Sequence, residues 1–268
     1  MTPSEIKTVM ASMGGKANKH LGQHFLIDQH ALAVIVEAAD IKKGDRVLEI
    51  GPGLGVLTQA LLQQGAKVIA IEKDSRFIES LGGFDGLDLH KGDAARIDWD
   101  SLVENRSWKF VSNLPYAITS LALRKALYVK NPPELLVVLV QREVAERVLA
   151  RDGKQSLLSL MVSLASSKAS IIRRVPAGAF YPPPKVESAI LLIRPMTHDQ
   201  RQKTWGIDPE AVMAVAKKGF AHPRKYVQRN LGIGNEAWQE LSKKMDFDVK
   251  IRAEDLTTEQ WVELAKNI

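Results

Sequence analysis

Val47-Leu48-Glu49-Ile50-Gly51-Pro52-Gly53-Leu54-Gly55 is the stretch that decides the fold. A short apolar run passes directly into three closely spaced glycines, and Val56 to Gln64 then reads as a helix. Glycines at such a junction let the backbone turn tightly and let a ligand lie against bare main chain. Outward from it, strand-like runs recur at Lys67 to Glu72, Leu87 to His90, Trp108 to Val111 and Glu134 to Val140. Helix-like segments such as Leu121 to Val129 separate them. This alternation predicts an α/β fold, a mostly parallel sheet with helices on both faces. Ser170 to Val175 and Ala189 to Arg194 are two more strand candidates, expected to form an antiparallel, hairpin-like edge around the Pro-rich loop Phe180 to Lys185.

After Pro195 the strand pattern stops. Met196 to Gly206 is polar and reads as a linker, followed by three or four short helices. One starts at Asp208-Pro209, with Asp as cap and Pro in the first turn. Another starts at Thr257, ahead of Glu259 and Gln260. Two domains are expected, residues 1–196 and a small all-α domain over residues 197–268. Ser156 to Ser167 reads as a buried apolar helix, and Gln141 to Arg147 as a helix with paired charges.

The 268 residues are 45% hydrophobic and 25% charged, the balance of a globular chain that buries its own core. Cysteine is absent, which excludes a disulfide framework, a thiolate metal site and a cysteine nucleophile. A formal charge of +6 favours an anionic partner. Met1 to His20 lacks the apolar core of a signal peptide. The longest strongly apolar run, Leu135 to Val140, is far too short to span a bilayer, so a cytoplasmic or organelle-interior location with no membrane is expected.

Glu72 closes the strand after the glycine loop, where a carboxylate can accept from ribose hydroxyls. A dinucleotide site would place its third glycine three positions after Gly53, and Val56 stands there. Glu49, just before the loop, would repel a phosphate but suits a cationic amino-acid moiety. S-adenosyl-L-methionine carries an ammonium and a sulfonium and no phosphate. Asp93 follows the third strand and can accept from an adenine amino group.

The fourth strand ends in Val111-Ser112-Asn113-Leu114-Pro115-Tyr116. An adenine amino nitrogen is a poor nucleophile because its lone pair is delocalised into the ring. The amide oxygen of Asn113 and the carbonyl of Leu114, both accepting from the amino hydrogens, would draw that nitrogen toward a tetrahedral shape. Pro115 has no N–H to compete and fixes the chain. Tyr116 would stack on the target base. Positioning and oriented dipoles would carry the rate, and no general base is required.

Together these segments resemble the KsgA/RsmA-type ribosomal RNA adenine dimethyltransferases. Lys19-His20-Leu21-Gly22-Gln23-His24-Phe25-Leu26 is similar to the family's entry motif, and Phe180 to Ala189 to its Pro-rich loop. The resemblance implies a Rossmann-like class I methyltransferase domain and a small helical C-terminal domain. It implies four methyl transfers giving two adjacent dimethyladenosines near the 3′ end of 16S rRNA. The partner would be an assembly intermediate of the small ribosomal subunit, met by a monomer. His24, Leu26, Gly51, Gly53, Glu72, Asp93 and Asn113 would contact the cofactor. Asn113, Leu114, Pro115 and Tyr116 would hold the adenine, with Phe180 as a second stacking face. Three positions depart from the family's habit: His24 stands where Asn is usual, Ser112 where Gly is frequent, and Pro223 where a basic residue is common.

Three rivals remain open at this level. The related large-subunit resistance methylases share most motifs, but usually carry Ile where Leu114 stands. A DNA adenine methylase would normally carry Asp in place of Asn113. A non-catalytic ribosome-binding factor would not need the intact cofactor set. His20 and His24 are four residues apart, but no third ligand completes a zinc site, so no metal is expected.

Between Glu210 and Glu236 there is no acidic residue, while Lys217, Lys218, Arg224, Lys225 and Arg229 supply positive charge. Such a stripe suits phosphate contacts, which position RNA without reading its sequence. Changing Arg224 and Lys225 together to Ala is expected to flatten the plot of log affinity for RNA against log salt by about 1.5. A filter-binding titration between low and moderate salt checks this, and an unchanged slope returns the stripe to a solvated helix face.

Overall fold

The computed structural model describes residues 1–15, 17, 22–104 and 106–268. They divide into two compact units, Met1–Ala145 with Ala169–Pro195, and Glu146–Lys168 with Met196–Ile268. The strands in chain order are β1 (Phe25–Leu26), β2 (Arg46–Ile50), β3 (Lys67–Glu72), β4 (Leu87–Lys91) and β5 (Lys109–Asn113), then β6 (Leu135–Gln141), β7 (Ser166–Val175), β8 (Phe180–Tyr181) and β9 (Ser188–Pro195). The helices before Pro195 are α1 (Pro3–Ser12), α2 (Gln29–Ala39), α3 (Val56–Gln63), α4 (Ser75–Leu81), α5 (Trp99–Val103), α6 (Thr119–Tyr128), α7 (Arg142–Val148) and α8 (Leu157–Ala165). After it come α9 (His198–Trp205), α10 (Pro209–Gly219), α11 (Val227–Leu231), α12 (Asn235–Met245) and α13 (Thr258–Asn267).

A seven-stranded sheet runs β4-β3-β2-β5-β6-β9-β7. The first five of these strands pair in parallel, and β9 runs antiparallel to β6. β9 is therefore an inner strand and β7 the edge. Strands covered on both faces read as unbroken apolar runs, and β6 is buried from Leu135 to Val140. Val47, Val68, Val111 and Val137 turn to one face, where they meet Ile35 of α2 and Leu61 of α3. Alternate residues turn to the other, where Trp99 of α5 lies against Phe110 of β5 at 5.4 Å between ring centroids.

The chain order reverses between β2 and β5. They pair only at Val47↔Lys109 and Leu48↔Phe110, so their carboxyl ends part and open a crevice, the place where open α/β sheets bind ligands. Ser112 bridges the strands just below that opening, its hydroxyl donating to the Ile50 carbonyl at 2.8 Å. This gives the serine a role that glycine could not supply.

Two expectations change. Residues 196–206 were read as a linker for want of an apolar period, yet His198–Trp205 is helical. Thr197 and Gln200 form a reciprocal capping box, and Gly206 ends the helix in the left-handed conformation. Tertiary bonds then fix it: the buried Arg201 donates from Nε to the Met196 carbonyl, and Trp205 from Nε1 to the Leu164 carbonyl. The four helices after Gly206, α10 to α13, fall within the expected three or four, and α9 is added ahead of them.

The second change concerns which residues pack with them. Leu160 and Leu164 of α8 join Val212, Ala216, Trp238 and Trp261 in one core. Helix α8 is apolar around most of its surface and must be enclosed. The second compact unit therefore takes Glu146–Lys168 in addition to the C-terminal segment.

That core is tight where α10 meets α13. A Cβ added at Gly219 would lie 2.4 Å from Cη2 of Trp261, which is fully buried. Gly219→Ala is expected to cost about 1–3 kcal/mol of stability by overpacking, although Ala is the better helix former. Urea denaturation of the variant checks the sign, and a stabilised variant would show that Trp261 can yield.

Candidate active site

One pocket lies over the carboxyl ends of β2, β3, β4 and β5. Its walls include His24, Phe25, Leu26, Glu49, Gly51, Gly53, Glu72, Asp93 and Asn113 to Ile118. Every sequence-predicted cofactor residue, and the whole Asn113 to Tyr116 loop, is thus brought to one cavity. Lys19, His20 and Leu21 of the entry segment, with half of the His20/His24 pair, lie outside the described residues. Among the described residues no group of three or more His, Asp or Glu could hold a metal ion.

The glycine loop is shaped by what it must pass. Gly51 and Gly53 have φ of 67° and 57°. A Cβ on Gly51 would sit 3.0 Å from Cγ of Pro115, and one on Gly53 would sit 3.2 Å from the Phe25 ring. Bare backbone is needed at both on two counts, conformation and space. Gly51 also brings the cofactor loop against the Asn113–Tyr116 loop.

Glu72 is buried, and its carboxylate accepts from the Gly53 N–H at 3.0 Å and the Asp74 N–H at 2.7 Å. It therefore holds the glycine loop in place as well as facing the pocket. Burial pushes its carboxyl up, and these two N–H groups oppose the shift. Asp93 accepts from the Ala95 N–H at 2.9 Å and pairs with Lys73 at 3.0 Å, which together hold its carboxyl below the usual range.

Glu49 is 2% exposed and accepts from Thr58 Oγ1 at 2.7 Å. Burial raises its carboxyl from 4.5 to about 8; the Thr58 bond opposes this and the nearby Glu72 charge adds to it. Three carboxyl groups thus line the floor, with Lys73 already paired to one of them. The lining suits a cationic ligand and opposes a phosphate.

The Asn113 side chain has a fixed orientation. Its Nδ2 donates to the His24 carbonyl at 3.3 Å, so Oδ1 is the free acceptor, without a partner among the described residues. The Leu114 N–H donates to the Leu139 carbonyl at 3.1 Å, while the Leu114 carbonyl has no such partner. Two unengaged acceptors are therefore contributed by adjacent residues of the pocket wall.

Tyr116 is anchored twice. Its hydroxyl shares a hydrogen bond with buried Ser188 at 2.8 Å, and its ring stacks on His24 at 5.6 Å and 27°. The His24 Nδ1–H donates to the Pro182 carbonyl at 2.7 Å. His24 thus uses its backbone to orient Asn113 and its ring to support Tyr116, tying the entry segment to the Pro-rich loop.

Phe180 is not brought to the pocket. In the short β1–β8 ladder Leu26 pairs with Phe180 and Phe25 with Tyr181. Side chains alternate along a strand, and Phe180 turns into the core, 2% exposed beside Val175 and Ala179. It supports the wall behind Leu26 and offers no face to a base.

Sequence reasoning passed over the supports. Ser188 and Thr58 are lone hydroxyls on otherwise apolar faces, the one signal that marked them. Gln23 donates from Nε2 to Asp74 at 2.7 Å, and Arg76 holds the Asp74 carboxyl down at about 2. In the second unit, Lys217 and Lys218 end α10, Arg224 and Lys225 follow on the exposed segment before α11, and Arg229 lies in α11. Among the described residues none of the five has an ion-pair partner. Asn230 steadies the segment by donating to the His222 carbonyl at 3.1 Å.

Sheet order, glycine loop and strand-end pocket are those of a Rossmann-like class I methyltransferase. Solved structures agree on the fold. A dimethyladenosine transferase from Plasmodium falciparum matches with a TM-score of 0.70 at 26% identity, over 90% of this chain and 96% of that one. The 23S rRNA methyltransferase ErmE matches with a TM-score of 0.70 at 23% identity, over 91% and 98%, and shows the fold alone. Over residues 14–268 the chain matches the family described as Ribosomal RNA adenine dimethylase. It is 38% identical to the ribosomal RNA small subunit methyltransferase A of Dehalococcoides mccartyi, over 97% of this chain and 91% of that protein. It is 36% identical to the protein of the same name from Trichormus variabilis, over 91% and 94%. The chain belongs to the ribosomal RNA adenine dimethylase family.

The buried Glu49 carboxyl has a consequence for pH. Its folded value, about 8, exceeds its unfolded value of 4.5, so between the two the native state binds the extra proton. Stability from this group is complete below the unfolded value and is lost as pH rises toward 8, by at most about 1.4 kcal/mol per pH unit. Glu49→Gln keeps an acceptor for Thr58 and removes the titration. The gain in Tm of the variant over the parent is expected to grow from pH 5 to pH 8 and then level off. Parallel Tm curves would show that Glu49 ionises in the fold at no cost.

Proposed function

We propose that this enzyme uses S-adenosyl-L-methionine to dimethylate N6 of two adjacent adenosines near the 3′ end of 16S rRNA, on an assembly intermediate of the small ribosomal subunit. The observation that carries the reading is the Asn113 amide. With Nδ2 committed to the His24 carbonyl, Oδ1 is left beside the Leu114 carbonyl as a pair of acceptors for one amino group.

The residues present fit the cofactor. Gly51 and Gly53 present bare backbone to the pocket, and its carboxyl-rich floor suits a ligand with an ammonium and a sulfonium and no phosphate. His24, Leu26, Gly51, Gly53, Glu72, Asp93 and Asn113 would hold it, with Glu49 taking the charged form once a cation is bound. The cofactor supplies an activated methyl group on sulfur. Asn113 Oδ1 and the Leu114 carbonyl accept the two amino hydrogens of the target and draw its lone pair out of the ring. These acceptors would hold the amino group in line for transfer, and its proton would pass to water without a general base from the protein. Pro115 and the Tyr116–Ser188 bond keep these groups from reorganising during transfer.

Tyr116 would stack the target base on the ring face opposite His24. The Lys217, Lys218, Arg224, Lys225 and Arg229 stripe would meet phosphates. Small-subunit rather than large-subunit RNA is favoured by the names of the relatives at 36–38% identity. No helix among the described residues is long and apolar enough to cross a membrane. A cytoplasmic monomer that works without a metal completes the proposal.

The test is incubation of the purified protein and labelled S-adenosyl-L-methionine with under-methylated small and large subunits, followed by nucleoside analysis. Dimethyladenosine confined to small-subunit RNA is the expected result. Label in large-subunit RNA would overturn the substrate assignment. Asn113→Ala should lower transfer by about a hundredfold or more with the fold intact, the scale for one oriented acceptor in a water-poor site. Full activity in that variant would remove Asn113 from the mechanism.

A further inference from the structure

Asp93 sits on a loop, residues 92–98, that contributes Gly92, Asp93, Ala94 and Ala95 to the pocket. The loop has little regular structure, so something must fix its depth. Part of the answer is internal: the Asp93 carbonyl accepts from the Arg96 N–H at 2.8 Å and the Ile97 N–H at 3.1 Å. This turn aims the carbonyls of Ala94, Ala95 and Ile97 at one point, and Lys125 Nζ occupies it. The ammonium donates to Ala94 at 3.0 Å, Ala95 at 3.3 Å and Ile97 at 2.6 Å. An ammonium has three N–H donors, so all are used on one loop and none on a carboxylate.

Two further contacts close the arrangement. Buried Trp99 donates from Nε1 to the same Ala94 carbonyl at 3.0 Å, and its ring lies under the ammonium at 5.3 Å. On the pocket side, a Cβ on Gly92 would meet Cδ1 of Ile97 at 2.7 Å, so the loop is folded as closely as glycine permits. Taking Nζ out of water holds the Lys125 ammonium below its ordinary value, while the charges of Asp98 and Asp93 oppose that shift. Charged donors to carbonyls are stronger than neutral ones, so this one side chain dominates the position of the loop.

We propose that Lys125 is a positioning residue for adenine recognition, setting the loop at the depth where Asp93 meets the adenine of the cofactor. Lys125 lies on α6, the helix that follows the Asn113–Tyr116 loop directly. The Asp93 loop and the Asn113–Tyr116 loop are therefore held to one helix. This rests on the cofactor assignment above and adds a residue that touches neither ligand.

Calorimetric titration of the whole protein with S-adenosylhomocysteine and S-inosylhomocysteine tests it without any methyl transfer. The inosyl compound lacks the amino group that Asp93 would accept from. Lys125→Met is expected to weaken S-adenosylhomocysteine binding by about tenfold, the scale of a lost charged hydrogen bond, with a smaller effect on the inosyl compound. The preference for adenine therefore falls, and Lys125→Arg recovers part of it. Trp99→Phe, which loses only the donor to Ala94, should move the preference the same way should the Met variant not fold. An unchanged preference, or equal loss of both ligands, would overturn the positioning role. No binding of S-adenosylhomocysteine to the parent would instead overturn the cofactor assignment, and the clamp with it.

Discussion

The ladder between β2 and β5 holds only Val47↔Lys109 and Leu48↔Phe110, toward their amino ends, and everything functional follows from the gap they leave. Adjacent parallel strands whose connections leave in opposite directions must part at their carboxyl ends. The opening exposes backbone groups that need partners. The structure meets that need in two ways: the Ser112 hydroxyl takes the Ile50 carbonyl, and the Glu72 carboxylate takes the Gly53 N–H. Each support stabilises the crevice and leaves its mouth free. Gly51 and Pro115 then touch across it, so the glycine loop and the Asn113–Tyr116 loop wall one pocket.

This economy places electrostatic strain at the floor. Glu49 and Glu72 are both buried, both raised by desolvation, and near enough to repel. Such a pair lowers the stability of the empty fold at neutral pH and is relieved by a cation. The cost is carried by the surrounding core, where Val47, Leu48 and Ile50 are almost fully enclosed. A site that is unfavourable alone and favourable with its ligand trades stability for affinity.

The target side is organised differently, through hydrogen bonds between residues far apart in the chain. Asn113 reaches the His24 carbonyl, His24 reaches the Pro182 carbonyl, and Tyr116 reaches Ser188. None of these bonds spans fewer than seventy residues, and together they draw the entry segment, the end of β5 and the Pro-rich loop around one point. His24 joins a backbone acceptor for Asn113 to a ring that braces Tyr116.

Elements whose cause is local or periodic can be read from the chain alone. Apolar runs located the strands, glycines located the strand-to-helix junction that lines the pocket, and Asn113 to Tyr116 marked four adjacent residues of its wall. Capping residues located α10 and α13. The same kind of signal at Thr197 and Gln200 was present but lay in a polar segment, and packing of Trp205 was needed to make α9 a helix. Only the tertiary structure decided which way Phe180 turns, that α8 joins the C-terminal core, which end of the Asn113 amide faces the pocket, and what Lys125 holds. A side chain that bonds a carbonyl thirty or ninety residues away leaves no spacing in the chain to read. Its partner is chosen by the sheet, whose order is fixed by burial and not by any neighbour in sequence.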